Sequence, residues 1–203
     1  MRGSLDIRSL QRREIREAAG VLGRAFYDDP VMMWLVPHNE SRARGLPRGF
    51  ATIARRHFLA RGGSEVASRD GVIGGASLWD PPGQRKSSRL EQLSMMPGFL
   101  WAFGRRTSRM EQISGVMDEN HPEEPHWYLT ILGTDPTVRG AGFGQALINS
   151  RLDRCDAEHA PAYLEASKPD LVPYYTRFGF EVTGEIKLPD GGPSMFPMWR
   201  QPR

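Results

Sequence analysis

The hydrophobic pattern of this chain switches several times between helical spacing and strand-like runs, which predicts a mixture of helices and strands. After Ser9, which we predict as a helix N-cap, apolar residues fall on one helical face until Pro30 breaks the pattern. A second helix is predicted within 41–60. The face of the first helix consists of Ile15, Ala18, Leu22, Ala25 and Phe26, and the predicted strands are 6–10, 65–68, 72–79, 126–136, 161–167, 180–188 and 194–200.

Two further features organise the middle of the chain. Strands 65–68 and 72–79 are joined by Arg69-Asp70-Gly71, and Asp-Gly is a strong signal for a tight hairpin turn. The segment 87–119 carries apolar residues at helical spacing on both sides of Pro97-Gly98, which predicts two helices separated at that point. The predicted apolar stripes are Leu90 and Leu93 in the first helix, and Met110, Ile113 and Met117 in the second.

The order of the predicted elements indicates a single α/β (α+β) domain. A strand, helices and a strand meander are followed by alternating strands and helices, which is typical of a mixed sheet. A chain of 203 residues with 39% hydrophobic residues is long enough to bury the core of one domain over 1–203. No stretch approaches the roughly 18 apolar residues of a membrane span, and the charged N-terminus lacks the apolar segment of a signal peptide. With Cys155 as the only cysteine, these features favour a cytoplasmic protein.

The distribution of charged residues bears on whether the protein binds nucleic acids or membranes. The net charge is +3, and the basic residues are scattered among acidic ones rather than gathered in a run. We therefore expect a solvated surface without nucleic-acid or membrane binding. The chain also lacks the Cys/His spacing of a metal site, so no metal is expected. The sequence is compatible with a monomer or a homodimer.

Residues 135–144, DPTVRGAGFG, stand between a predicted strand and a predicted helix. A helix start offers unpaired N–H groups and the positive end of the helix dipole, and glycines let a ligand approach the backbone. With Arg139 beside them, these features predict a site for a phosphate or pyrophosphate. The G-x-G-x-G spacing matches neither the dinucleotide fingerprint nor the P-loop. A glycine-rich turn without a ligand is the alternative, and the combination with Arg139 argues against it.

The same segment resembles the Q/R-x-x-G-x-G/A motif of the GNAT superfamily of N-acetyltransferases, and the resemblance continues through PAYLEAS and PYYTRFGFEV. It implies a GNAT-like domain with a mostly antiparallel mixed sheet, a helical insert at about 87–119 and an acetyl-CoA-binding core at about 126–182.

Segments such as FYDDP, WDPP and LPDGGPSMFPMWR also resemble the puromycin N-acetyltransferases within the superfamily. Ala141 and Leu171 depart from the basic residue and the asparagine of many relatives. The implied acetyl-CoA contacts are Leu132, Gly133, Thr134, Arg139, Gly140, Ala141, Gly142, Phe143 and Gly144.

Transfer of an acetyl group to an amine needs a neutral amine and a proton donor for the departing thiolate. The resemblance places the general acid at Tyr175, five residues before Phe180, and we expect the adjacent Tyr174 to pack in the core. Glu165 lies in an apolar strand, where a carboxylate faces either solvent or a cleft, and we favour the cleft and a role as base. We interpret His159 as a helix-end residue, and His121 and His126 as loop residues.

The acceptor is expected to bind near an aromatic-rich set of segments. We assign Asp28, Trp34 and Trp79 to acceptor binding, with core packing as the alternative for the aromatic residues. The expected reaction is direct transfer from acetyl-CoA to a primary amine of a small molecule, such as a puromycin-like aminoacyl-nucleoside, in a ternary complex. Acetylation of a protein N-terminus or lysine, and a non-catalytic acyl-CoA-sensing role, stay open as alternatives.

Overall fold

The computed structural model describes residues 3–203. A central sheet has the strand order β1-β2-β3-β4-β5-β8-β6, and β7 pairs with β8. Only β4 and β5 are parallel, which confirms the expected mixed, mostly antiparallel sheet flanked by helices. The strands are β1 Asp6–Ser9, β2 Glu65–Arg69, β3 Val72–Asp80, β4 Trp127–Thr134, β5 Ala162–Ala166, β6 Glu181–Val182, β7 Ile186–Lys187 and β8 Ser194–Arg200. The helices are α1 Ile15–Ala25, α2 Pro30–Leu35, α3 Asn39–Ile53, α4 Arg89–Phe103, α5 Thr107–Asn120, α6 Phe143–Ala157 and α7 Val172–Thr176.

The sheet separates two hydrophobic clusters. One cluster packs α1 and α3 against β2, β3 and β4, with Leu22, Phe50 and Leu78 among its buried residues. The other packs α6 against β4 and β5, with Ile148 and Leu164 among its members. Burying apolar surface on both sides of the sheet stabilises it as the middle layer of the domain. No helix in the described part of the chain is long and apolar enough to cross a membrane.

The first helix begins differently from the prediction. Ser9 ends β1, where it pairs with Glu65, so its assignment as the N-cap of α1 is wrong. The chain enters α1 through a 3₁₀ turn at Arg12–Glu14, and the backbone N–H of Gln11 donates to the Glu14 carboxylate at 2.9 Å. This contact satisfies a backbone donor at the start of the helical segment, which is the function of a capping box. The hairpin is as predicted, because Asp70 and Gly71 both adopt positive φ between β2 and β3.

The helical insert breaks at a different residue from the one predicted. Helix α4 runs through Pro97 to Phe103, and the chain turns at Gly104, which has φ +57°. Gly98 lies against α3, where a side chain at this position would collide with Thr52. The two helices therefore pack closely at this point. Leu90 and Leu93 are 81% and 66% exposed, so the predicted stripe of α4 does not face the core.

A buried ionic network fixes the start of the insert to the sheet. His57 lies in a π-helical turn that extends α3, and its Nε2 bonds Asp80 Oδ1 at 2.8 Å. Arg61 makes a bidentate contact with Glu91 of α4 at 2.7 and 3.0 Å. The Arg61 guanidinium holds the pKa of Glu91 below its usual range. Thr130 of β4 donates to Asp80 at 3.3 Å, so the network reaches the strand that borders the candidate site.

Candidate active site

The sheet opens between its two parallel strands. The pairs that join β4 to β5 end at Leu129 and Leu164, whereas β4 continues beside β3 to Thr134. A bulge at Thr130 bends β4 there, because the neighbouring residues Leu78 and Trp79 pair with Ile131 and Leu129. Beyond Leu129, the far edge of β4 has no strand partner in the described part of the chain. The predicted cofactor residues Leu132, Gly133 and Thr134 lie along this opened edge.

The glycine corner lies at the end of the opened strand and begins α6. Gly140 and Gly142 have φ values of +79° and +90°, a region that favours glycine. Gly142 is the N-cap residue of α6, so the first N–H groups of a 15-residue helix point out of the corner. A Cβ at Gly140 would meet no atom within 4 Å, which shows that the backbone faces open space. The corner therefore has the geometry expected of an anion site.

Arg69 reaches this corner from the end of β2. Its Nη2 donates to the carbonyl of Ala141 at 3.3 Å, and its guanidinium lies 5.1 Å from the ring centre of Phe143. Its Nε is buried and has no hydrogen-bond partner among the described residues. Arg69 lines a cleft of about 420 Å³ together with Thr137, Val138, Arg139, Gly140 and Ala141. The corner thus has a second arginine close to Ala141, where the sequence lacks a basic residue.

The two adjacent tyrosines have different surroundings. Tyr175 is 8% exposed, and its ring packs against Tyr174 and Phe180 at centroid distances of 5.3 and 6.1 Å. Burial raises the pKa of Tyr175, and the nearby charges of Tyr174 and Asp29 raise it further. Its hydroxyl is therefore held protonated, as a proton donor must be. The Tyr174 hydroxyl lies above Gly144, 2.9 Å from the position that a Cβ there would take.

Asp29 connects the start of α2 with the end of β5. One of its oxygens accepts from the backbone N–H groups of Val31 and Met32 at 3.0 and 3.2 Å, and the other accepts from the Ser167 hydroxyl at 2.5 Å. Burial raises the pKa of Asp29, although these hydrogen bonds oppose the rise. The predicted acceptor residue Asp28, by contrast, is exposed.

Glu165 is the first residue of β5 beyond its last pair with β4. Its side chain is 3% exposed, so the solvent-facing alternative is wrong. Burial raises the pKa of Glu165 to about 7, although the Tyr128 and Tyr163 hydroxyls beside it oppose the rise. A carboxyl group with this pKa can accept and release a proton at neutral pH, as a general base requires.

His121 and His126 lie in the loop between α5 and β4, as predicted, but both rings turn inward: His126 is buried, and the His121 side chain is 11% exposed. The two rings lie 4.8 Å apart, and each packs on Tyr163. Their Nε2 atoms are 3.0 Å apart, and His126 Nδ1 lies 2.5 Å from the carbonyl of Glu124. His121 Nδ1 lies 4.0 Å from Glu165 Oε1. Burial lowers the pKa of His121 to about 3 and also lowers that of His126.

The other predicted residues lie away from this cluster or inside the core. Trp79 is fully buried beside Leu129 in the cluster under α6, which matches the core-packing alternative. Trp34 of α2 is partly exposed, and Arg109 of α5 stacks over its ring at 5.0 Å. His159 is exposed just after α6, and Leu171 packs against the core. No group of three or more His, Cys, Asp or Glu side chains within the described residues could hold a metal ion.

The sequence is similar to known acetyltransferases. Residues 107–200 match the acetyltransferase (GNAT) domain family. This match covers the C-terminal part of the chain, from α5 to β8. It is 28% identical over 193 residues to an uncharacterized N-acetyltransferase of Schizosaccharomyces pombe, covering 88% of this chain and 75% of that protein.

Solved structures support the same fold. A structure described as histone acetyltransferase HPA2 and related acetyltransferase from Corynebacterium glutamicum has a TM-score of 0.77 and 27% identity, covering 98% of this chain and 97% of that one. The polyamine N-acetyltransferase of Drosophila melanogaster has a TM-score of 0.64 and 16% identity, covering 98% and 100% of the two chains. The protein is thus an acetyl-CoA-dependent acetyltransferase of the GNAT fold, and acetyl-CoA is its cosubstrate.

Proposed function

We propose that this acetyltransferase moves the acetyl group directly from acetyl-CoA to the primary amine of a small molecule, with both substrates bound together. The observation that carries the proposal is Glu165, a buried carboxyl group with a pKa of about 7 where β4 and β5 part. An amine must lose a proton before it can attack the thioester. The raised pKa of Glu165 supports this role, because a carboxylate with such a pKa can accept that proton at neutral pH.

The glycine corner and the opened strand supply the other half of the proposed site. The pyrophosphate of acetyl-CoA would accept hydrogen bonds from backbone N–H groups of residues 140–144, and the pantetheine arm would lie along 132–134. Arg139 and Arg69 would contribute positive charge to this end. Tyr175 would then protonate the CoA thiolate as it departs, since its raised pKa keeps the hydroxyl protonated.

The burial of the residues around Glu165 favours a small-molecule acceptor over a protein acceptor. The side chains of Glu165 and Tyr163 are buried, and His121, which directly follows α5, lies 4.0 Å from Glu165. A peptide acceptor needs an extended open groove, whereas these groups lie in an enclosed polar cluster. Neighbouring structures include both kinds of enzyme, a polyamine N-acetyltransferase and a ribosomal-protein-S18-alanine N-acetyltransferase, and these show the fold alone. The acyl-CoA-sensing alternative loses its support because the chain is an enzyme.

The acceptor is identified by measuring thiol release from acetyl-CoA against a panel of amines. The panel contains puromycin, amino acids, polyamines, aminoglycosides and a peptide with a free N-terminus. We expect a small amine to give the highest kcat/KM. A peptide giving the highest value would instead support the protein-acetylating alternative.

Puromycin heads the panel because the narrower resemblance to puromycin N-acetyltransferases stays a prediction. The cytoplasmic location, the monomeric or homodimeric state and the absence of nucleic-acid and membrane binding also stay predictions. The assigned contacts of Asp28 and Trp34 with the acceptor are part of the proposal, whereas the burial of Trp79 favours a structural role for it.

A further inference from the structure

We propose that His121 and Glu165 form a dyad that holds a single proton, and that His121 positions the proton which Glu165 exchanges with the acceptor amine. The inference rests on the proposed role of Glu165 as base and adds a second residue to that role. It starts from hydrogen bonds that fix which nitrogen of each histidine carries hydrogen.

The carbonyl of Glu124 determines the tautomer of both rings. A carbonyl oxygen can only accept, so His126 Nδ1 must carry a hydrogen and donate to it. Burial lowers the pKa of His126, which keeps the ring neutral and makes its Nε2 an acceptor. His121 Nε2, 3.0 Å away, must then be the donor between the two rings. In the neutral ring of His121, Nδ1 is left as an acceptor.

This acceptor faces another buried acceptor. His121 Nδ1 and Glu165 Oε1 are 4.0 Å apart, and each is buried without a hydrogen-bond partner among the described residues. Two unpaired acceptors in a buried site are unfavourable, because each has lost its bonds to water. A proton placed on either atom turns the pair into a donor facing an acceptor. The arrangement therefore favours one proton, shared by the pair.

Burial favours a proton on Glu165, whereas most of the surrounding charged and titratable groups oppose a proton on the pair. The Tyr128 and Tyr163 hydroxyls lie beside Glu165 and favour its carboxylate form, and Arg85 acts in the same direction. Around His121, Arg85, Lys86 and His126 oppose a positive ring, whereas Asp118 favours one. Because the two groups interact, their titration belongs to the dyad rather than to either residue.

The dyad gives a balanced route for the protons of the reaction. An acceptor that arrives as an ammonium ion has three hydrogens on nitrogen, and the acetylated product has one. The unprotonated dyad takes the first proton, and the freed lone pair forms the N–C bond to the thioester carbonyl. As the C–S bond breaks, the second proton passes from nitrogen to solvent, and sulfur gains the proton of the Tyr175 hydroxyl. Tyr175 then recovers a proton from solvent, so one proton is released in net for each acetyl group transferred. The proton on the dyad is released to solvent after each turnover.

The test compares His121→Phe and His121→Gln with the wild type. His121→Phe removes the acceptor that stabilises the protonated dyad, so the acid limb of kcat/KM should move to lower pH by roughly half to one unit. The amide of His121→Gln can both accept and donate, so its acid limb should move in the same direction by less. The amine of the acceptor titrates identically in all three proteins, so a difference between them belongs to the enzyme. His38→Gln is the matched control, because His38 is exposed before α3.

A second measurement does not depend on finding an acceptor. The carboxyl carbon of Glu165, assigned with Glu165→Gln, is titrated by carbon-13 NMR in the ligand-free protein. A lower midpoint in a folded His121 variant supports the dyad even if the proposed acceptor class is wrong. A reduced kcat with an unchanged acid limb and an unchanged Glu165 midpoint would overturn the proposal and leave His121 with a packing role. Two His121 substitutions of different polarity keep the test valid if one of them fails to fold.

Discussion

Tyr174 and Tyr175 are neighbours in sequence, but we propose different roles for their hydroxyls. Tyr175→Phe keeps the buried ring and removes the proposed proton donor, so kcat should fall by about 10²-fold. The KM for acetyl-CoA should change little, because the hydroxyl acts mainly as charge develops on sulfur. Steady-state kinetics with saturating acceptor measure both quantities.

Tyr174→Phe is the matched control for this experiment. Its hydroxyl lies above Gly144, at the start of α6, so its loss should affect acetyl-CoA binding rather than kcat. If Tyr175→Phe retained the wild-type kcat, the general acid would have to be another group. An equal loss of kcat in both variants would indicate a shared packing effect.

Arg69 supplies a positive charge that the sequence motif does not contain. We predict that Arg69→Gln raises the KM for acetyl-CoA by about 10-fold, the value of one hydrogen bond to a charged group, with little change in kcat. Arg55→Gln removes the same charge from an exposed position away from the corner and serves as control. Equal effects of the two substitutions would mean that only the overall field of the protein matters. Thermal unfolding of both variants checks that the loss of packing on Phe143 is not responsible.

Helix α2 depends on Asp29, which also connects it to β5. Asp29→Ala removes the N-cap and leaves the Ser167 hydroxyl without its acceptor, so the free energy of unfolding should fall by about 1 to 3 kcal/mol. Asp29→Asn keeps an N-cap oxygen and should cost less. Urea denaturation of the two variants separates the cap from the charge.

The pH dependence of the Asp29→Asn variant follows from the raised pKa of Asp29. A folded-state pKa above the unfolded value means that the ionised carboxylate lowers stability at neutral pH, and that this cost disappears as the pH falls. The stability of Asp29→Asn relative to wild type should therefore be higher at about pH 7 than at about pH 4. A constant difference across this range would show that burial does not disfavour the carboxylate.

Elements with local signals could be predicted from the sequence, and elements fixed by distant contacts could not. The β2–β3 hairpin was predictable because Asp70-Gly71 supplies the positive φ values of its turn. The break between α4 and α5 was misplaced, because α4 continues past Pro97-Gly98, where it packs closely on α3, and the chain turns only at Gly104. That packing joins residues far apart in the chain, which no local pattern reports.

The same distinction applies to the candidate site. The glycine corner is one continuous segment, and its motif identifies it directly. Arg69 reaches the corner from the hairpin, and His121 reaches Glu165 from the end of the insert, so both needed the assembled sheet to be found. For His121 the available signal was weak, namely two histidines five residues apart just before the strand that opens. The connecting role of Asp29 could not be predicted for the same reason, because its partner Ser167 is far away in the sequence.

The opening between β4 and β5 makes the stability of the whole domain sensitive to its ligand. The sheet is continuous apart from this gap, and acetyl-CoA bound there would connect the edge of β4 to the corner that begins α6. A ligand at about 100 times its Kd stabilises the folded state by about 2.7 kcal/mol. For a domain of this size, that corresponds to a rise in Tm of roughly 5 to 10 °C.

We therefore predict that acetyl-CoA and CoA raise the Tm of the protein, and that NAD and ATP do so much less at equal concentration. Either nucleotide can place phosphates at the corner, but neither has a pantetheine arm to lie along 132–134. Differential scanning fluorimetry over a concentration series gives the apparent affinity of each ligand. Arg69→Gln should weaken the response to CoA, whereas Arg55→Gln should leave it unchanged. Equal stabilisation by NAD and CoA would show that only the phosphate corner is used, and it would remove the opened strand from the proposed binding site.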